Sequence, residues 1–407
     1  MPVGGVAAAG SITFLPAVRT WFRNVLPWAG IAAGAEIIAG AGIAWFQYLR
    51  SPSLRLGAGY PDFVIYSALG HQLREHGFGG IYDLGLQRHF QEQLTGSPTG
   101  VLPYISPPYL APLWWPFGWL DLKSGYIVWT AITMVLLAGS VALLLTATTL
   151  DRRLKWALGL LALAWVPTLV TVLQGQTTGL VLLGVAAAAV FWVAGREIEA
   201  GGATFLALVR PHMVLGLPAL YLVRSRARAL PILAETALVI CLFTLPLVGI
   251  DNWHAYLQLV LPWLVHGQTL ATVAFEQARY SLRGLLDAAG LPNLAVLVIL
   301  AAVALLVLVS WLRGAPRREL DVAIAVTASV VLSPHQNLHD LVLLVVPLLI
   351  VAAGDWRRQE LAWATVAVCY LGVEASLFNP FFAQLGMLVL LAYLCAERIW
   401  ARPPQLA

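Results

Sequence analysis

The sequence predicts an all-α polytopic membrane bundle of about 10–12 membrane helices, short or re-entrant ones included. Three observations predict it. Hydrophobic residues fill 60% of the 407 positions and charged residues only 11%, with a mean hydropathy of +0.80. No soluble domain hides that much apolar surface. The apolar residues form long Leu/Ala/Val runs rather than the short alternating strands of a β-barrel. Basic clusters also punctuate the runs on one side only.

The charge pattern sets an orientation. With the N-terminus in the cytoplasm, all but eight of the 24 Lys and Arg fall on cytoplasmic segments. Seven of the eight lie in two long outer segments, 49–123 and 251–291, where the positive-inside rule is weak. The eighth is Arg210. The net charge of +4 therefore reads as membrane orientation, and the basic residues lack the interleaved aromatics of a nucleic-acid surface. Cys241, Cys369 and Cys395 sit inside apolar runs and form neither a disulfide framework nor a metal motif. The first 30 residues lack a short apolar core followed by a small-residue cleavage site, so the first run reads as a retained helix. The chain 1–407 reads as a single integral membrane domain.

The first run, 27–48, follows Arg19 and Arg23 and contains Glu36. An acid inside a span is expected to be buried and hydrogen-bonded, or functional. In the outer segment 49–123, five prolines crowd into residues 103–116, a pattern hostile to a straight spanning helix. Helices lying on or dipping into the outer leaflet are expected there, with Trp114, Trp115 and Trp119 at headgroup depth. A full crossing is the alternative. Runs 130–150, 156–173 and 179–194 then cross in turn, the middle one ending at Gln174-Gly175-Gln176. The run 203–223 has arginines on both flanks, so both ends belong in the cytoplasm. A hairpin of two short helices satisfies this, with Arg210-Pro211-His212 at its buried apex. Run 230–250 leads to the second outer segment. Runs 297–312, 322–332 and 341–353 follow, with the turn 333–340 between the last two, and two more spans return the C-terminus to the cytoplasm.

Polar chemistry collects on the outer face. Seven of the eight histidines fall on outer segments, and the eighth, His212, is at the hairpin apex. Asp62 opens the first outer segment just past the first span. A carboxylate there can act as a general base towards an alcohol; a helix cap or surface acid is the plainer reading. Asp83 reads as a turn or cap residue, with substrate contact as the alternative. Arg210, stranded between apolar runs, needs a partner: a phosphate, or a buried acid such as Glu36. His335 and His339 share one outer turn with Asp340. Neither an Asp-x-Asp nor a His-x-x-x-His pair is present, so no metal site is expected.

Several motifs occur in a fixed order: an acid opening the outer loop, Ile81-Tyr82-Asp83, Tyr104-x-x-Pro107-Pro108, Gly175-Gln176, Arg210-Pro211, and Ser333-Pro334 with a following histidine, His339. In that order, from about residue 27 to 396, the chain resembles glycosyltransferase family 87, polyprenol-phosphate-mannose-dependent α-mannosyltransferases of the GT-C superfamily. Arg210 stands where the family has Lys, and the tryptophan expected after Ser-Pro is replaced. The resemblance implies a multi-pass plasma-membrane enzyme with its active site on the extracytoplasmic side. It would move a sugar, mannose by analogy, from a polyprenyl-phosphate donor to a lipid or glycan acceptor, inverting the anomeric centre. No nucleotide sugar, cofactor or metal is implied, and the partners are membrane lipids and these substrates, not nucleic acid. Asp62 would be the catalytic base, with Arg210, His339, Asp83, Gln176 and His212 as substrate-binding residues. A transporter or flippase of lipid-linked solutes, and a lipid-diphosphate-dependent glycan polymerase or ligase, are the competing readings.

Overall fold

A computed structural model of the chain describes residues 16–50, 61–97, 101–224, 228–262, 280–313, 317–334, 336–354, 356 and 359–400. His335, and the stretch 263–279 with Trp263, His266 and Arg279, lie outside the described residues. The fold is an all-α polytopic membrane bundle. Five helices are long and apolar enough to cross a bilayer, or six with one bent pair.

Helix α1 (Pro16–Arg50) runs the length of the bundle. Near its start the Arg153 guanidinium lies 5.8 Å from the Trp28 ring. Near its end Trp45 and Leu49 join an aromatic cluster with Tyr66, Trp114 and Trp129. Glu36 projects from α1 as an exposed residue. The expectation that it is a buried, partnered acid does not hold, because α1 turns that face away from the bundle.

The next segment does not cross. Two amphipathic helices, α2 (Phe63–His76) and α3 (Leu84–Thr95), fold over one end of the bundle. A 3-10 turn (Pro108–Leu110), the one-turn α4 (Ala111–Trp114) and another 3-10 turn (Trp115–Trp119) follow. Prolines at the first turns of these pieces start helices they would break if internal. Trp115 and Trp119 are exposed, at 45% and 57%, as interfacial tryptophans would be; Trp114 is not, at 1%. It stacks on Tyr66 with ring centroids 4.1 Å apart, so its expected place at headgroup depth is corrected to the core.

Beyond this layer the helices alternate between two ends. Helix α5 (Leu122–Thr146) starts beside Gly175, whose carbonyl accepts from Trp129 Nε1 at 2.8 Å. It ends where Lys155 donates to Thr148 O. Helices α6 (Arg152–Ala164) and α7 (Val166–Gln174) return as one span bent by 50°. Pro167 near the start of α7 explains the break. Thr168 takes up the Ala162 carbonyl, and Glu374 accepts from the Val166 amide at 3.2 Å. Helix α8 (Thr178–Val193) descends to Trp192, whose carbonyl accepts from Arg318. Arg318 also pairs with Glu197 at 2.8 Å, which starts α9 (Glu197–Ala207). The chain turns at Arg210, and α10 (Gly216–Val223) brings it back to Arg224, which pairs with Asp321 at 2.9 Å. This is the short hairpin the flanking arginines require. Gly216 seats it: its amide donates to Ser329 Oγ at 2.8 Å, and a Cβ there would strike the Ala325 carbonyl.

Helices α11 (Ala229–Val248) and α12 (Ile250–Ala255) lead back to the first end. There Asn252 accepts from the Ile81 amide at 3.0 Å and donates to Phe78 O at 2.7 Å. After α13 (Leu282–Ala288), α14 (Asn293–Arg313) and α15 (Arg318–Leu332) make a down-up pair. The 333–340 turn continues as a 3-10 helix (Leu338–Leu344) into α16 (Val345–Ala353). Helices α17 (Gln359–Ala375) and α18 (Phe381–Trp400) complete the bundle.

Length and burial sort the helices into two shells. Helices α8 and α15 have 16 and 15 residues, about 23 Å at 1.5 Å per residue, and most of α15 is fully buried. Helices α1, α11 and α14 have 35, 20 and 21 residues, enough for the roughly 30 Å hydrocarbon layer. Their apolar side chains are largely exposed. The inner helices thus stop about a turn short of the outer ones.

Candidate active site

Three chain segments meet where the inner helices stop. The first is the N-terminus of α2. Asp62 precedes the helix, and its amide donates to Gln174 Oε1 at 3.2 Å. The second is the α7–α8 turn. Gly175 adopts a left-handed φ of 61°, and a Cβ there would lie 2.8 Å from Phe63 Cβ. Glycine is therefore required, and the turn aims Gln174 and Gln176 at the same aspartate. Gln176 Nε2 donates to Asp62 Oδ2. The third is the hairpin apex with Arg210, facing the 337–340 turn.

Arg210 ties the segments together. Its Nη1 donates to Asp340 Oδ1 at 2.6 Å and lies 3.2 Å from His339 Nε2. Its Nη2 donates to Gln176 Oε1, and its Nε to Thr177 Oγ1 at 3.3 Å. Gln176 Oε1 also accepts from Tyr66 Oη at 3.1 Å. A continuous chain therefore runs Asp62–Gln176–Arg210–Asp340, with Tyr66, Thr177 and His339 on its sides. The Arg210 side chain is 13% exposed and that of Asp340 fully buried. The second oxygen of Asp340 accepts from the Asn337 amide at 2.9 Å, closing a cap on the 3-10 helix. Thr171 Oγ1 donates to His339 O at 3.1 Å and holds the turn down.

The electrostatics are asymmetric. Asp340 has a direct guanidinium partner; Asp62 reaches that guanidinium only through an amide. Burial raises the Asp62 carboxyl above its ordinary range, against the opposing pull of His339, the Gln176 amide and Arg210, while Asp340 pushes it up further. A raised carboxyl is a stronger base when ionised.

The sequence-derived residues divide accordingly. Asp62, Gln176, Arg210 and His339 come together. Asp83 does not join them. It is exposed and caps α3, accepting from Gly85 N at 2.7 Å and Leu86 N at 3.0 Å, so its side chain is occupied by the cap. His212 lies one residue past Pro211 in the apex turn. Arg210's acid is Asp340 rather than Glu36. Tyr66, Gln174 and Thr177 were not singled out by sequence reasoning. The one available signal was the uninterrupted polar run 174–178 between two apolar stretches. Among the described residues, no three His, Cys, Asp or Glu side chains group as a metal site.

A polytopic bundle holding a carboxylate and a shielded guanidinium in one recessed site has the makings of a membrane transferase. Residues 104–334, more than half of the chain, match the model of Glycosyltransferase family 87, and the protein belongs to that family. Gln176 and Arg210 lie inside the matched stretch; Asp62, His339 and Asp340 flank it. No curated protein and no solved structure matches the chain. The protein is thus a membrane glycosyltransferase, and the transporter reading gives way to that class.

Proposed function

We propose that the protein transfers mannose from a polyprenyl-phosphate donor to a hydroxyl of a lipid or glycan acceptor, with inversion, on the extracytoplasmic face of the plasma membrane. The observation that carries this reading is the convergence of Asp62 and Arg210 on Gln176. Transfer from a lipid phosphate asks for two things. The acceptor hydroxyl, with a pKa far above neutral, needs a base in line with the anomeric carbon. The departing phosphate needs a cation.

Asp62 suits the first task. Its carboxyl is pushed towards higher basicity and, among the described residues, is held by the Gln176 amide rather than by a cation that would quench it, while Gln174 holds its backbone amide. Arg210 suits the second, because a planar fork binds phosphate oxygens in pairs. Its bonds to Asp340 and His339 orient it and prevent a full positive charge from standing alone in an apolar interior. His339, with Nε2 beside Arg210 Nη1 and Asp340 Oδ1, lines the site and helps place charge rather than acting as the base. A single displacement turns a β-linked donor into an α-linked product. The arginine-rich end of the bundle, with Arg224, Arg318 and Arg398 on buried or half-buried acids, favours the opposite, cytoplasmic side.

The test is transfer by the purified full-length protein in nanodiscs. The donor is a polyprenyl-phosphate mannose and the acceptor an alkyl α-mannoside. An α-linked product from this donor, and none from a nucleotide sugar or lipid diphosphate, is the expected result. Turnover with the lipid-diphosphate sugar alone would overturn the reading in favour of a polymerase or ligase.

A further inference from the structure

We infer that Gln336 binds a vicinal pair of hydroxyls on the sugar-bearing substrate; this rests on the protein's sugar-transferring reaction. Gln336 is fully buried, and among the described residues neither its Nε2 nor its Oε1 has a hydrogen-bond partner. Buried polar atoms in folded proteins are nearly always partnered, and a carboxamide left bare at both ends is costly. Other bare buried atoms here, such as Ser67 Oγ, Trp114 Nε1 and Gln72 Oε1, are single atoms of their side chains. Gln336 alone among the described glutamines leaves a donor and an acceptor open together.

Its position gives the cost a meaning. Gln336 stands three residues before His339 on the turn that delivers His339 and Asp340 to Arg210. Its backbone is fixed from both sides: its carbonyl accepts from Tyr280 N at 3.1 Å, and the next amide, Asn337 N, donates to Asp340 Oδ2. Every other polar side chain described between Asn337 and Asp340 is engaged within the turn or with Arg210. A leucine of nearly the same size would serve packing better. Retained costs of this kind cluster at functional sites. A carboxamide presents N–H and C=O side by side, which matches adjacent sugar hydroxyls. Nε2–H donates to one hydroxyl oxygen, and Oε1 accepts from the other. The diol could belong to the donor sugar or to a glycan acceptor.

The test compares Gln336→Leu with wild type in nanodiscs. The melting temperature of the variant should be equal or higher, because a bare amide is removed. With polyprenyl-phosphate mannose and an alkyl mannoside, kcat/KM should fall at least about tenfold, as expected when a hydrogen-bonding site loses its partner. A raised KM for one substrate tells donor from acceptor. Monodeoxy analogues of that substrate should lower wild-type kcat/KM to the variant's level and cost the variant nothing further. A lower melting temperature, or kcat/KM within twofold of wild type, overturns the inference. If wild type transfers nothing from this donor, the donor assignment fails by itself. The diol is then read by titrating methyl α-mannoside against tryptophan fluorescence. Binding at least about tenfold tighter to wild type supports Gln336; equal binding, or none to either protein, overturns it.

Discussion

Two buried ion clusters sit at opposite ends of the same inner helices, and they are built on different plans. At one end Asp321 on α15 accepts from Arg398 Nε at 2.7 Å and from Arg224 Nη2 at 2.9 Å. One carboxylate there serves two arginines, and its side chain is 2% exposed. At the other end one arginine serves Asp340 directly and Asp62 through Gln176. The first plan concentrates cation on a single acid and clamps α10, α15 and α18 together. Among the described residues, the second leaves one carboxylate without a cation of its own, held by the Gln176 amide. The surplus is positive at the Asp321 end and negative at the candidate site, where the proposed base stands.

The sharpest way to break this contrast is to remove the uncommitted acid. Asp62→Asn keeps size and an acceptor for Gln176 but no proton acceptor, and should lower kcat by about 10²–10⁴-fold. Its melting temperature should hold, because a carboxyl whose ionisation is disfavoured by folding supports no stability at neutral pH. Folded Asp62→Asn protein with wild-type turnover would remove Asp62 as the base.

Asp321→Ala should do the reverse. Two arginines left facing each other in a buried site should cost about 3–5 kcal/mol, read as a lower unfolding midpoint in detergent. Activity per folded molecule should stay within about twofold, since no bond joins Asp321 to the candidate site. Gln176→Leu tests the link between the two acids. It should cost about 10²-fold in kcat through misplacement of Asp62, with the donor KM changing less.

A pH profile sharpens the same point. Because burial raises the Asp62 carboxyl, the proposed base is lost on acidification at a higher pH than for an ordinary carboxylate. The acid limb of kcat/KM should therefore lie above the usual carboxylate range and vanish in the residual activity of Asp62→Asn. The smallest effect belongs to Asp83→Ala. Loss of the α3 cap should cost about 1 kcal/mol of stability and leave kcat/KM unchanged.

The sequence made the site legible where charge was out of place. Arg210 between two arginine-bearing flanks fitted the apex of a hairpin, and its isolation demanded a partner. Which partner was beyond reach, because Glu36 and Asp340 are equally acidic on paper and only packing turns one outward and buries the other. Asp83 and Asp62 share one local pattern, an acid just before an amphipathic helix. Their side chains differ because Gln176 reaches Asp62 from 114 residues away, whereas Asp83 finds donors two and three residues ahead. Tyr66 was hidden inside an amphipathic repeat, where an aromatic reads as core. It is core, stacked on Trp114, and only its hydroxyl reaches the site.

The difference in length between the inner and outer helices has a consequence for how substrates travel. Arg210 lies where the shorter inner helices stop, joined through Gln176 to Tyr66 and Asp62 of the α2 segment. With the donor proposed above, a lipid whose phosphate settles there would enter sideways between helices, its tail never leaving oil. The encounter is then two-dimensional, governed by how many donor molecules occupy each patch of bilayer rather than by their amount in the bulk. Diluting the donor with inert lipid at constant total concentration should slow the enzyme, and diluting the whole suspension with buffer should not.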